Sequence, residues 1–80
     1  MIQTRQIEDV HFIGDSLCLS IDGIAYRFSI KRISSKLAAA DELKRMMFRI
    51  SPAGVGIHWP LIDEDLSIEG LLNHASTNER

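Results

Sequence analysis

The chain has 80 residues, of which 45% are hydrophobic and 25% are charged, and its formal net charge is −2. This composition excludes a disordered chain, which would carry fewer apolar residues and more net charge. No apolar run approaches the roughly 20 residues that a membrane-spanning helix requires. The length suits a single domain, 1–80, with a core over about residues 7–72 and a flexible tail at 73–80.

The single cysteine, Cys18, excludes a disulfide within one chain and fits a reducing compartment. The first six residues lack the apolar core of a signal peptide. We therefore expect a cytoplasmic protein. Cys18 lies in an alternating apolar run, which favours a small residue within a sheet over a nucleophile or a metal ligand.

The charges are distributed unevenly along the chain. Residues 27–49 hold seven basic and two acidic groups, a net charge of +5, whereas the flanking segments 1–26 and 50–80 carry −3 and −4. A basic segment could face nucleic acid or an acidic partner. We favour the alternative that it faces water or the chain's own acidic ends, because no basic-aromatic interleaving and no nucleic-acid motif accompanies it.

The first third of the chain predicts three antiparallel strands. The turn signals Gly14-Asp15 and Asp22-Gly23 are each flanked by alternating sequence. Two-residue turns at these positions put apolar residues opposite each other throughout, which predicts a meander with one apolar and one solvated face. The predicted pairs are Ile21–Ile24, Leu19–Tyr26, Leu17–Phe28, Phe12–Leu17 and Val10–Leu19.

The middle of the chain changes to a helical period. Residues 30–37 predict a short helical turn or an ordered loop, and Asp41 is placed to cap a helix that runs from Glu42 to Met47. Strands are expected at 48–50 and 55–59, joined by the turn residues 51–54. In the second of these strands His58 points away from the face that carries Trp59.

After Pro60 the sequence predicts an acidic loop, 63–65, and a short helix, 68–72. Ser67 is placed as the N-cap of this helix, and Leu66 and Leu71 are spaced as a hydrophobic staple. The whole pattern predicts an α+β fold. It consists of an antiparallel sheet of about five strands, with the three-stranded meander followed by a later hairpin, and one or two short helices packed on one face.

The segment from Gly54 to Ser67 is the densest in residues that could carry chemistry. A metal site is not favoured, because zinc needs more nitrogen or sulfur ligands than the one histidine present, and contiguous acids lack the spacing of a calcium loop. No nucleophile motif or phosphate loop is present either. We therefore expect a protein that is not an enzyme, with no catalytic residues, no bound metal and no cofactor.

A contact surface for another protein is the interpretation we favour for this segment. His58, Trp59, Asp63, Glu64 and Asp65 would form its rim, with Trp59 filling either the core or a groove. His58 is expected to form a hydrogen bond with the acidic residues.

Residues 56–72, GIHWPLIDEDLSIEGLL, closely resemble the C-terminal signature of a bacterial family known as domain of unknown function 2442. Residues 33–37, ISSKL, with Ala40 resemble the family's Ile-Ser-Pro-Arg-Leu followed by alanine, and Arg45 also falls in the family pattern. Two positions depart from it, because Ser35 replaces a common proline and Lys36 replaces a common arginine. Lys36 joins the candidate binding residues, and if the arginine makes a bidentate contact, lysine would weaken it.

The resemblance also implies what the partner could be. Some members look like antitoxin-type partners of another small protein, and some are fused to a helix-turn-helix, a segment that we do not recognise in these 80 residues. We expect another small protein or self-association as the partner, and no membrane. A nucleic-acid-associated regulator is the less favoured alternative, followed by a small-molecule or metal site at His58 and the acidic loop.

Overall fold

The first three strands form the predicted antiparallel meander in a computed structural model, which describes residues 4–77. The pairs Leu17–Phe28 and Ile21–Ile24 lie opposite each other as expected. The turn between the second and third strands is built on Asp22 and Gly23, whose φ angles of 52° and 85° are those of a type I′ hairpin. The strands are β1 (Ile7–Ile13), β2 (Ser16–Ile21) and β3 (Ile24–Ser29), in the order β1-β2-β3.

A β-bulge interrupts β1 between Glu8 and His11. Asp9 has a φ angle of 56°, and both Asp9 and Val10 lie where the regular register allows one residue opposite Leu19. The predicted Val10–Leu19 pair is therefore part of the bulge. Because of the bulge, Ile7 lies opposite Ile21 on the apolar face. Strict alternation from Phe12 would have placed Ile7 on the other face.

Three short helices follow β3. The first buries Ile30, and a side chain caps the N-terminus of each of the other two. The side chain of Asp41 accepts from the amide of Lys44 at 3.0 Å, which confirms the predicted cap. Ser34 caps the preceding helix by accepting from the amide of Leu37 at 3.0 Å. The helices are α1 (Ile30–Ile33), α2 (Ser35–Ala39) and α3 (Glu42–Met46).

The second half of the chain forms a separate three-stranded sheet. Its strands are β4 (Arg49–Ile50), β5 (Gly56–Trp59) and β6 (Glu64–Ser67), antiparallel in the order β4-β5-β6. The α+β class, the meander and the later hairpin are confirmed. The sixth strand was not predicted: Asp63, with a φ of 52°, makes a tight turn, so Glu64 and Asp65 pair with β5 and do not form a loop.

The last helix, α4 (Ile68–Thr77), begins at the predicted cap, where Ser67 Oγ accepts from the amide of Gly70 at 3.0 Å. It continues five residues beyond Leu72, the predicted end of the helix. Ala75, in the continuation, packs against the core as Leu72 does. Of the expected tail, residues 78–80 lie outside the described part of the chain.

The core lies between the two sheets and the helices. Its buried side chains come from β2, β3, α1, α2, β5 and α4: Leu17, Leu19, Ile21, Phe28, Ile30, Leu37, Ile57, Trp59, Ile68 and Leu71. Within residues 4–77 no helix is both long and apolar enough to span a membrane.

Arg5 joins three parts of the fold near the start of the described chain. Its guanidinium donates to Asp22 and to Glu69, each at 2.9 Å, and so connects the second hairpin turn to α4. Asp22 also accepts from the amide of Gln6 at 2.9 Å. The hydrogen bond from Gln6, together with that from Arg5, lowers the pKa of the Asp22 carboxyl below its usual value.

Candidate partner-binding groove

His58 occupies the middle of a polar row on the outer face of the second sheet. It lies opposite Arg49 on β4 and opposite Asp65 on β6. The expected contact with an acidic residue is present, since Nδ1 of His58 lies 2.8 Å from Oδ1 of Asp65. Both side chains are substantially exposed, so this is a surface pair of the kind that contributes little to stability.

The three acidic residues of the signature do not converge. Side chains alternate along a strand, so Asp65 shares the outer face with His58 whereas Glu64 lies on the inner face beside Trp59. Asp63 belongs to the preceding turn. Among residues 4–77, no three His, Cys, Asp or Glu side chains are placed to hold a metal ion together.

Lys36 and Glu64 connect α2 to the second hairpin. The ammonium of Lys36 donates to the main-chain carbonyl of Asp63 at 3.0 Å. The hydroxyl of Ser34 donates to one carboxylate oxygen of Glu64, and the other oxygen accepts from the amide of Asp65. Two of the predicted binding residues are thus engaged in holding the turn against the helix.

Trp59 is a core residue, since its side chain is 0% exposed. Its indole Nε1 donates to the main-chain carbonyl of Arg45 at 2.9 Å, and its ring packs at a tilt against Phe48, with centroids 6.2 Å apart. Of the two positions the sequence analysis allowed, core or groove, the structure places this indole in the core, and so removes it from the surface rim.

Arg45 uses its guanidinium within the protein. Nε donates to the carbonyl of Leu37 and Nη2 to that of Ala38, each at 3.1 Å, and Nη1 lies 3.4 Å from the carbonyl of Gly14. Arg27 similarly donates to the hydroxyl of Ser16 at 3.1 Å. With Lys36, at least three of the seven basic side chains in segment 27–49 are directed at the protein's own oxygens within the described residues. This favours the interpretation that the basic segment serves the fold rather than nucleic-acid binding.

A groove that the sequence analysis missed lies between β1 and α3, and we call it the β1–α3 groove. It has a volume of about 750 Å³, within the range of known ligand clefts. Its lining is mostly apolar, with one carboxylate and the engaged guanidinium among its members: Val10, His11, Phe12, Gly14, Glu42, Arg45, Met46 and Phe48.

Large apolar side chains remain exposed in and beside this groove. Met46 is 64% exposed, and its chain neighbour Met47 is 50% exposed. Ile13, which follows the lining residue Phe12, is 51% exposed. Exposed apolar side chains at a concave surface commonly mark a contact site, and methionine adapts its shape to different partners.

One local signal could have revealed this groove. Met46, Met47 and Phe48 are three consecutive large apolar residues at the end of a short helix. A helix of five residues cannot turn all of them towards one core, so at least one was bound to remain on the surface. The strand that forms the opposite wall lies more than thirty residues earlier, and its proximity follows only from the fold.

The model of a family of proteins of unknown function, DUF2442, matches residues 7–77, which is nearly the whole chain. No curated protein and no solved structure gives a significant match to the chain.

Proposed function

We propose that this chain, a member of the DUF2442 family of proteins of unknown function, is a non-enzymatic module that binds another small protein. The binding site is the β1–α3 groove. The observation that carries this proposal is the exposed apolar side chain of Met46 in a concave, mostly apolar lining. Met47 and Ile13, the chain neighbours of lining residues, are exposed as well. Burying such surface is the main driving force of protein association.

The arrangement of the polar residues supports a binding role over catalysis. His58 is paired with Asp65, and Glu64 accepts from Ser34 and from the main chain. A catalytic base needs a cavity beside it that can hold a substrate. The groove lies elsewhere, between β1 and α3, and His58 is not among its lining residues. The histidine that lines it, His11, has its Nδ1 2.6 Å from the main-chain oxygen of Asp9.

We place this module in the bacterial cytoplasm, as a regulatory or antitoxin-like subunit. The family resemblance supports the bacterial origin and the type of partner. Cys18 supports the compartment, because it is a free, buried thiol in the centre of the first sheet. Its position also agrees with a small residue of the sheet rather than a reactive one.

Co-expression with the product of the adjacent gene tests this role. We expect a complex that isothermal titration detects at micromolar concentration. Met46→Glu should weaken it at least about tenfold, since a charge would then enter the apolar contact. Ile24→Glu is the matched control, because Ile24 is exposed to a similar degree but lies at the other end of the meander from the groove.

Two results would contradict the proposal. One is the absence of any complex at micromolar concentration. The other is an equal loss of affinity in Met46→Glu and Ile24→Glu, which would place the contact outside the groove. Circular dichroism of both variants checks that the fold is retained.

A further inference from the structure

We propose that the segment of the partner that enters the β1–α3 groove is an extended strand, with apolar and basic residues in alternation, that adds to the free edge of β1. This inference rests on the proposed function and specifies the chemistry of the partner. Three features of the groove carry it: an unpaired main-chain edge, an apolar lining and an acidic border.

The edge of β1 follows from the hairpin register. Ile13 and Ser16 close a two-residue turn, so they exchange both main-chain hydrogen bonds, and the next pair, Phe12–Leu17, does not. The N–H and C=O of Phe12 consequently point away from β2. Within residues 4–77 the main chain of Phe12 has no partner outside this hairpin, and β1 is the first strand of its sheet.

The lining supplies contacts for alternate side chains of an added strand. Val10 and Phe12 lie on β1, and Met46 and Phe48 face them from the other wall. A strand laid along the edge would satisfy the main-chain groups of Phe12 and direct every second side chain into this lining. Exposed edges of this kind are the usual templates for pairing with another chain.

The charges bordering the groove favour a basic strand. Glu42 lines the groove, and Glu8 and Asp9 lie further along β1, all three exposed. Within the described chain none of these carboxylates takes part in an ion pair. Arg45, which also lines the groove, has its guanidinium directed at carbonyl oxygens and presents no strong donor to a ligand.

A second copy of this chain fits the same edge less well. Pairing β1 with β1 would bring together two strands that each carry Glu8 and Asp9, with Glu42 of α3 beside each edge, so two surfaces of like charge would approach each other. The bulge at Asp9 also twists the strand away from regular pairing. A partner strand bearing lysine or arginine avoids the repulsion, and pairing centred on Phe12 lies on the regular part of β1, beyond the bulge.

Amide hydrogen exchange by NMR tests this inference on the intact protein. The probe is a capped octapeptide of alternating lysine and valine, added at up to about 1 mM. We expect it to slow exchange of the Phe12 amide at least about tenfold, because that amide faces solvent until a strand pairs with it. The amide of Ile13, already bonded to β2, is the internal control and should not change.

Modified peptides separate strand addition from other modes of binding. N-methylation of all valines, or of all lysines, removes every second donor of the peptide. One of the two sets should abolish protection of Phe12 and the other should not, since only one set of amides faces β1. The peptide of alternating glutamate and valine should bind at least about tenfold more weakly.

Several outcomes overturn the inference. They are the absence of Phe12 protection at the highest peptide concentration, equal effects of the two methylated sets, and equal binding of the glutamate peptide. Protection of Phe12 that grows with protein concentration alone would show that a second copy occupies the edge. If the adjacent-gene product binds in a Met46-dependent way but leaves Phe12 unprotected, strand addition fails while the proposed function stands.

Discussion

The indole Nε1 of Trp59 donates to the main-chain carbonyl of Arg45 at 2.9 Å. This bond ties the second sheet to α3, the helix that forms one wall of the β1–α3 groove. The guanidinium of the same Arg45 reaches the carbonyls at the end of α2 and in the first hairpin turn. Trp59 therefore holds α3 in place from the core side of the groove, although the indole itself is buried.

Trp59→Phe should lower the free energy of unfolding by about 2 to 3 kcal/mol, because it leaves the Arg45 carbonyl without a donor and reduces the volume of the core. Urea denaturation measures the change. Tyr26→Phe is the matched control, since no hydrogen bond of the Tyr26 hydroxyl is recorded in the described chain, and its effect should stay within about 0.5 kcal/mol. Equal effects of the two substitutions would contradict this role of Trp59.

Arg45→Lys should cost about 1 to 2 kcal/mol of stability, because an ammonium cannot reach the carbonyls of Leu37 and Ala38 in the fork geometry of a guanidinium. Lys44→Arg, the reverse exchange at the exposed neighbouring position, should be neutral within about 0.5 kcal/mol. Thermal denaturation compares the two proteins. A melting temperature for Arg45→Lys as high as that of Lys44→Arg would speak against this contact.

Gly54→Ala should destabilise the protein by more than about 2 kcal/mol. The φ of Gly54 is 65°, and an added Cβ would lie 2.0 Å from the carbonyl oxygen of Arg5. The neighbouring Ala53 has a similar φ of 67° but is exposed, so Ala53→Gly should be neutral or stabilising by up to about 1 kcal/mol. Urea denaturation should find Gly54→Ala the least stable, with Ala53→Gly at least as stable as the wild type. A Gly54→Ala protein as stable as the wild type would refute the argument.

The stability of the protein should depend on Asp22 at acidic pH. The pKa of this carboxyl is lower in the folded state than its usual value, so its contribution is complete above the unfolded pKa and is lost as the pH falls through the folded one. The difference in unfolding free energy between the wild type and Asp22→Asn should shrink from about pH 6 to about pH 3. Asparagine keeps the turn conformation, and a constant difference would contradict the shift.

The sequence predicts the first hairpins well because two independent turns require the same apolar face. It also identifies Asp41 and Ser67 as caps, since capping depends on residues close in the chain. The bulge at Asp9 is not predicted, because inserting one residue into a strand leaves the local alternation almost unchanged.

Contacts between distant parts of the chain are what sequence reasoning could not supply. Ser34 and Glu64 are thirty residues apart, and Arg5 and Glu69 sixty-four. The contact of His58 with an acidic residue was predicted because Asp65 follows it by only seven residues. The groove was not, because its walls come from β1 and α3, which no local pattern relates.

Mapping of backbone chemical shifts during titration with the adjacent-gene product tests the central claim most directly. The account predicts that the largest changes fall on residues 10–14 and 42–48, the two walls of the β1–α3 groove. Changes centred on Arg49, His58 and Asp65, with the groove residues unaffected, would contradict it and would return the site to the polar row of the second sheet.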